Sequence, residues 1–94
     1  MDFWNPKNIK RALLILEGSA TKEVAVAEGV SAGRISHVAL TICLMAGARL
    51  ADREQRRRLD MFYSTMREAM KDKDKIIPLL KEHLSDDANA TNGK

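Results

Sequence analysis

Apolar residues recur at helical spacing through the first half of the chain and predict three successive helices. The apolar face of the first consists of Ile9, Ala12, Leu13 and Leu16. Asn5 is a good N-cap, and Pro6 suits the first helical position, where a missing N–H costs nothing. Trp4 and Ile9 occupy the positions of a hydrophobic staple. We therefore expect a helix over Pro6–Glu17, stopped by the glycine that follows.

The second and third helices are predicted on either side of Gly29. The second is short, is capped by Ser19 or Thr21, and ends at Glu28. The third begins at a Ser31 cap and is closed by Gly47. Its buried face is expected to comprise Ile35, Val38, Ala39, Ile42 and Met45 or Ala46. Leu40, Cys43 and Leu44 make its second half apolar on nearly every side, so this chain or a partner chain must cover it.

The pattern of apolar residues in the C-terminal half of the chain predicts one long and one short helix. Asp52 can cap a helix of about five turns that continues to about Met70. The run Lys71–Lys75 is expected to be a polar connector, followed by a short helix over Ile76–Leu84 with Pro78 in its first turn. Ser85–Lys94 carries no apolar residue beyond two alanines and is expected to be a disordered tail.

Composition narrows the fold and function classes. Hydrophobic residues make up 45% and aromatic residues 4% of the 94 residues, which favours a single all-α domain, placed at residues 1–84. The formal net charge of +3 is compatible with a polyanionic partner. The single cysteine, Cys43, excludes an intrachain disulfide and is expected to be a buried thiol. No signal peptide or membrane-spanning run is present, so we expect a cytoplasmic protein without membrane contact.

The chemistry expected of an enzyme is missing from the sequence. It shows no nucleophile–base pair, carboxylate dyad, glycine-rich phosphate loop or metal-ligand spacing. We therefore expect no catalytic activity, no cofactor and no metal site.

The segment Thr21–Leu40, TKEVAVAEGVSAGRISHVAL, carries the functional signal. It places two helices around a glycine-centred turn, with Val24 and Ala25 facing inward and Val30 filling the turn. Ile35 and Val38 then fix the second helix, and the turn glycine permits a left-handed backbone. These residues resemble the helix-turn-helix of bacterial repressors such as the LacI type, of the sigma-factor promoter-reading domain and, above all, of small plasmid and phage regulators. Glu28 departs from the pattern, which usually has an apolar or small residue there.

The resemblance implies that residues 21–46 form a DNA-binding unit whose recognition helix begins at Ser31. The residues expected to face DNA are Thr21, Ser31, Ala32, Gly33, Arg34, Ser36, His37 and Thr41. Thr21 and Ser31 would hold phosphates, while Arg34 and His37 would donate to guanine O6 or N7. The alternative is that Arg34 and His37 are ordinary solvent-facing residues. The cluster Arg53–Arg58 is expected to be a solvated helix face or to add phosphate contacts.

The expected function is that of a sequence-specific transcriptional regulator, most simply a repressor that occludes a promoter. The apolar stripe Leu59–Met70 and the apolar end of the third helix suit a homodimer built through residues 52–84, and a symmetric dimer would bind near-palindromic double-stranded DNA. Two alternatives are a site-recognition subunit of a phage or plasmid packaging, partition or recombination machine, and a helical protein-interaction adaptor.

Overall fold

The computed structural model describes residues 3–53 and 63–92 of the chain, and every regular element in these ranges is a helix. In chain order they are α1 (Pro6–Leu16), α2 (Thr21–Glu28), α3 (Ala32–Arg53), α4 (Met66–Lys71) and α5 (Lys73–Asn92). The all-α class is confirmed. Helix α3 is central, since α1, α2, α4 and α5 all pack against it.

Helix α1 begins as the sequence predicts. The Asn5 side chain accepts a hydrogen bond of 2.9 Å from the backbone N–H of Asn8, and Pro6 is the first helical residue. Trp4 and Ile9 are both buried in the core, as a hydrophobic staple requires. The helix closes at Leu16, and Gly18 follows with a φ of +110°.

Helices α2 and α3 meet at a sharp corner formed by Gly29, Val30 and Ser31. Gly29 has a φ of +69°, the left-handed conformation predicted for the turn. The two helix axes bend by 111° across it. The residue that caps α2 is Ala20, which offers no side-chain hydrogen bond, so the predicted cap at Ser19 or Thr21 is wrong. Ser31 does cap α3, because its Oγ accepts from the N–H of Arg34 at 3.1 Å.

Helix α3 continues beyond Gly47 to Arg53, so the predicted end at this glycine is wrong. Gly47 is buried inside the helix, between Ala46 and Leu50, which belong to the core. A glycine within a helix costs about 1 kcal/mol relative to alanine. Burial of Leu50 outweighs that cost, because fully burying a leucine contributes roughly 1.5–3 kcal/mol.

The long helix predicted from Asp52 to Met70 does not form as one element. Asp52 lies within α3, and Tyr63 to Thr65 are non-helical before α4 begins. Thr65 caps α4 by accepting from the N–H of Glu68 at 3.3 Å, and the Glu68 carboxylate accepts from the N–H of Ser64 at 3.1 Å. This reciprocal arrangement is a capping-box type of start, and the spacing Thr-x-x-Glu was its signal in the sequence.

The last helix is longer than predicted at both ends. Lys71 closes α4 and Lys73 opens α5, so the expected connector Lys71–Lys75 is reduced to Asp72 between two helices. Asp72 accepts a hydrogen bond of 2.8 Å from the Tyr63 hydroxyl, which fixes this junction. Pro78 lies inside α5 rather than in its first turn. The helix also runs through residues 85–92, where a disordered tail was expected.

The core lies along the inner face of α3. Val24, Ala25, Ile35, Val38, Ala39, Ile42 and Ala46 are buried as predicted. Cys43 is wholly buried, while Leu40, Leu44 and Met45 are half-buried against the same core. The chain itself therefore supplies much of the cover that the apolar end of this helix needs.

Trp4 joins the N-terminal segment to α3 and α5. Its Nε1 donates to Nδ1 of His83 at 3.2 Å, and the two rings meet edge to face. The Arg49 guanidinium lies over the Trp4 ring, 3.9 Å from its centroid. The N-terminus is thereby held beside the two helices that flank it.

Within the described ranges, no single helix combines the length and the apolar character of a membrane span. Helix α2 and residues 32–50 reach that length and composition only when counted together, across the 111° bend.

Candidate nucleic-acid interface

The first turns of α3 bring most of the predicted DNA-facing residues onto one exposed surface. Ala32, Gly33, Arg34, Ser36 and His37 are exposed, whereas Ile35 and Val38 between them point into the core. We call this exposed surface the α3 face; it consists of Ser31, Ala32, Gly33, Arg34, Ser36 and His37. Its polar and very small side chains leave the helix backbone open to close approach by a partner.

The hydroxyl groups of Ser31 and Thr41 each make one hydrogen bond to the backbone of α3. Ser31 accepts the capping hydrogen bond from Arg34, which leaves its O–H free to donate outward. Thr41 is half-buried, and its hydroxyl donates to the carbonyl of His37 at 2.8 Å. Thr41 can therefore only accept a further hydrogen bond, and it is the least accessible of the predicted residues on this helix.

The N-termini of α2 and α3 differ in charge. The first turn of α3 contains no acidic residue, so its unpaired N–H groups favour a nearby anion. The first turn of α2 carries Glu23, which already meets the positive end of that helix dipole. Thr21 is half-buried at the start of α2. A phosphate is thus favoured at the Ser31 end of α3 over the Thr21 end of α2.

Phe3 borders the α3 face on the N-terminal side. Its ring meets the His37 ring edge to face, with 6.4 Å between centroids. The Phe3 carbonyl accepts from the Asn8 side chain at 2.8 Å, which holds the segment against α1. His37 itself is exposed, so the contact orients the imidazole without covering it.

The buried Arg11 forms an ion pair with Glu28 that was not predicted from the sequence. Arg11 is 7% exposed, and its guanidinium contacts one carboxylate oxygen of Glu28 through both Nε and a terminal nitrogen at 2.5 Å. It also donates to Oδ1 of Asn8 at 3.3 Å. The pair fastens the last residue of α2 to α1. It explains why Glu28 stands where an apolar or small residue was expected, and that departure was the one available signal.

Two ionisable groups, the Cys43 thiol and the Tyr63 hydroxyl, have raised pKa values. Burial raises the pKa of the Cys43 thiol to about 12. Burial also raises the pKa of Tyr63, and its hydrogen bond to Asp72 adds to the effect. Neither group lies on the α3 face, so both act through the stability of the fold. In the part of the chain that the structure describes, no three His, Cys, Asp or Glu residues form a group that could hold a metal ion.

The arginine-rich cluster Arg53–Arg58 lies almost wholly outside the described residues; only the backbone of Arg53, at the end of α3, is placed. Residues 59–62, the start of the apolar stripe Leu59–Met70 that was expected at a dimer interface, are likewise outside them. Of that stripe, Tyr63 and Ala69 are buried within the chain, and Met66 and Met70 are half-buried.

No protein-family model, curated protein or solved structure matches this chain.

Proposed function

We propose that α2 and α3 form a helix-turn-helix and that the protein binds double-stranded DNA in a sequence-specific manner through the α3 face. The observation that carries the proposal is the corner itself. A glycine in the left-handed conformation joins two helices that bend by 111°, within the roughly 90–120° of such motifs. The second helix then presents its first turns to solvent, and α1 supports both from behind.

The chemistry of the α3 face supports a major-groove fit. Ala32 and Gly33 add almost no bulk, so the backbone could approach base edges closely. Ser36 and His37 supply hydrogen-bonding groups on the next turn, and an imidazole N–H can donate to guanine O6 or N7. The positive end of the helix dipole at Ser31, where the first turn of α3 carries no acidic residue, favours a neighbouring phosphate.

We further propose that the regulatory outcome is repression by occlusion of a promoter. Occlusion requires only that the protein bind tightly to a DNA site that overlaps the promoter. Binding through the α3 face would be enough for this, without a separate surface that activates transcription. Helical adaptors, by contrast, present apolar residues to their partners, and the exposed positions of the α3 face are polar or very small.

Selection from a random pool of DNA duplexes, followed by footprinting of the enriched sequence, tests the binding proposal. We expect one enriched motif, protected at a salt concentration where scrambled duplex is not. Recovery of unrelated sequences with equal affinity would contradict sequence-specific binding.

A reporter driven by the footprinted promoter, in cells with and without the gene, tests the regulatory proposal. Repression predicts higher output when the gene is deleted. An unchanged reporter would contradict repression and favour a packaging, partition or recombination role, and a lower output would indicate activation.

A further inference from the structure

A partly open pocket of about 380 Å³ lies between the start of α1 and the first turns of α3. Its volume falls at the lower end of the roughly 300–1,000 Å³ typical of small-ligand sites. Both apolar and polar side chains line it. The residues that matter here are Phe3, Lys7, Arg11, Val30, Arg34 and Val38.

The positive charges around the pocket are only partly balanced. Arg11 at its base is neutralised by Glu28. Lys7 and Arg34 are exposed at its rim, and among the described residues no carboxylate forms an ion pair with either of them. Within the described ranges the pocket therefore has two cations without an ion-pair partner, one contributed by α1 and one by α3.

The remaining hydrogen-bond capacity of the lining is almost all donor. The Asn8 side chain is occupied on both sides, donating to the Phe3 carbonyl and accepting from Arg11. The Asn5 side chain accepts from the Asn8 N–H. Lys7 and Arg34 keep three and five N–H donors, and neither offers an acceptor. A ligand that suits this lining is an anion with several acceptor oxygens.

We infer that the pocket binds a phosphate group, held between Lys7 and Arg34. Phosphate offers acceptor oxygens in several directions, which matches donors arriving from two helices, and Arg34 has the planar fork that pairs with two of them. The apolar lining residues Phe3, Val30 and Val38 would contact the organic part of a phosphate ester. Arg34 lies beside the buried Ile35, on the flank of the α3 face that turns towards α1, and this position favours a phosphate contact over the base contact expected from the sequence.

Two sources could supply the phosphate: a small phosphate ester free in solution, or the backbone of DNA lying along the α3 face. The second source rests on the proposed function, and the first does not.

Lys7→Gln and Lys10→Gln form a matched pair for the test, because both residues are exposed on α1 and both substitutions remove one charge, but only Lys7 lines the pocket. In the first arm, inorganic phosphate is titrated into each protein at constant ionic strength, with chloride as the reference salt. Backbone amide shifts near Lys7 and Arg34 are followed by NMR. In the second arm, affinities for a scrambled DNA duplex are compared.

We expect Lys7→Gln to weaken binding about tenfold more than Lys10→Gln in at least one arm, as loss of a charge-assisted hydrogen bond implies. Arg34→Gln should weaken the same arm. A difference in the phosphate arm alone assigns the pocket to a free ester, and a difference in the duplex arm, with or without one in the phosphate arm, assigns it to the DNA backbone. Equal behaviour of the two lysine variants in both arms would overturn the inference. If the wild-type protein binds no DNA, the proposed function fails while the phosphate arm still decides the pocket.

Discussion

At the residue scale, the ion pair between Arg11 and Glu28 ties the last residue of α2, next to the α2–α3 corner, to α1. Arg11 precedes Ala12 and Leu13 of the apolar face of α1 in the sequence. No local pattern shows that its partner is Glu28, at the far end of the next helix. A contact between residues 17 apart in sequence depends on the final packing, so the sequence predicts its two members separately and misses the pair.

We expect Glu28→Gln to destabilise the fold by about 1–3 kcal/mol, because it leaves a charged donor group buried without its counter-charge. Urea unfolding followed by fluorescence of Trp4, the single tryptophan, measures the change. Glu23→Gln is the matched control, since Glu23 is exposed on the same helix and its loss should cost far less. Equal effects of the two substitutions would show that the Arg11–Glu28 contact contributes little.

Cys43 gives the stability a dependence on alkaline pH. Its pKa is raised from an ordinary 9.0 to about 12 in the fold, so between these values the unfolded chain loses the thiol proton and the folded chain keeps it. The folded state then binds more protons, and stability must fall as pH rises through this window. Tyr63, whose pKa is also raised, acts in the same direction.

Between pH 8 and pH 10.5, the thiol alone should lower the free energy of unfolding by about 2 kcal/mol. Cys43→Ala lacks that contribution, so its stability should decline less over the same range even though the cavity weakens it at every pH. Urea midpoints of both proteins at the two pH values measure the difference. Parallel declines would mean that the thiol ionises equally in both states.

At the element scale, the sequence predicts helices well where a cap or a glycine turn is local and poorly where packing decides. The Asn5 cap, the Ser31 cap and the Gly29 turn are each specified within four residues. Gly47 looks like a helix end, but burial on α3 overrides its weak propensity. The Thr-x-x-Glu spacing at Thr65 indicates a helix cap. The apolar residues on both sides of it continue at helical spacing, so the sequence predicted one continuous helix instead.

Gly29 and Gly33 allow the corner to be tested with the same substitution in two conformations. Gly29→Ala should destabilise the fold by about 1–2 kcal/mol, because the left-handed backbone at φ +69° strains any Cβ even with open space around it. Gly33→Ala lies in α3 with nothing within 4 Å, so it should stabilise the helix by roughly 0.5 kcal/mol. Thermal unfolding of both variants checks the opposite signs, and a stabilising Gly29→Ala would contradict the turn conformation.

At the scale of the whole molecule, composition and periodicity predicted the all-α class. They did not predict which side chains pack over the apolar second half of α3. Its apolar second half was expected to be covered by this chain or by a partner chain. The structure half-buries Leu40 and Leu44 against the core of the same chain. Side chains distant in sequence, from α1 and α5, cannot be placed on this helix by a local pattern.

The homodimer stays a prediction. The argument for it is that one α3 face can contact only a short length of DNA. One recognition helix contacts only a few base pairs, so high specificity is reached by joining two half-sites about 34 Å apart. We expect a dimer on DNA and a near-palindromic footprint. Light scattering that gives a monomer at tens of micromolar, both with and without the selected duplex, would contradict it.

The central claim is that the α3 face reads DNA sequence, and His37 tests it most directly because its ring is exposed and oriented by Phe3. The measurement is the ratio of affinities for the selected and the scrambled duplex, taken for the wild type, for His37→Ala and for Ser85→Ala, an exposed control on α5. We predict that His37→Ala lowers this ratio about tenfold, as loss of a base contact worth about 1–3 kcal/mol implies, while affinity for the scrambled duplex and the ratio for Ser85→Ala stay unchanged. A ratio that is the same in all three proteins, or that falls only because both duplexes bind more weakly, would contradict the claim.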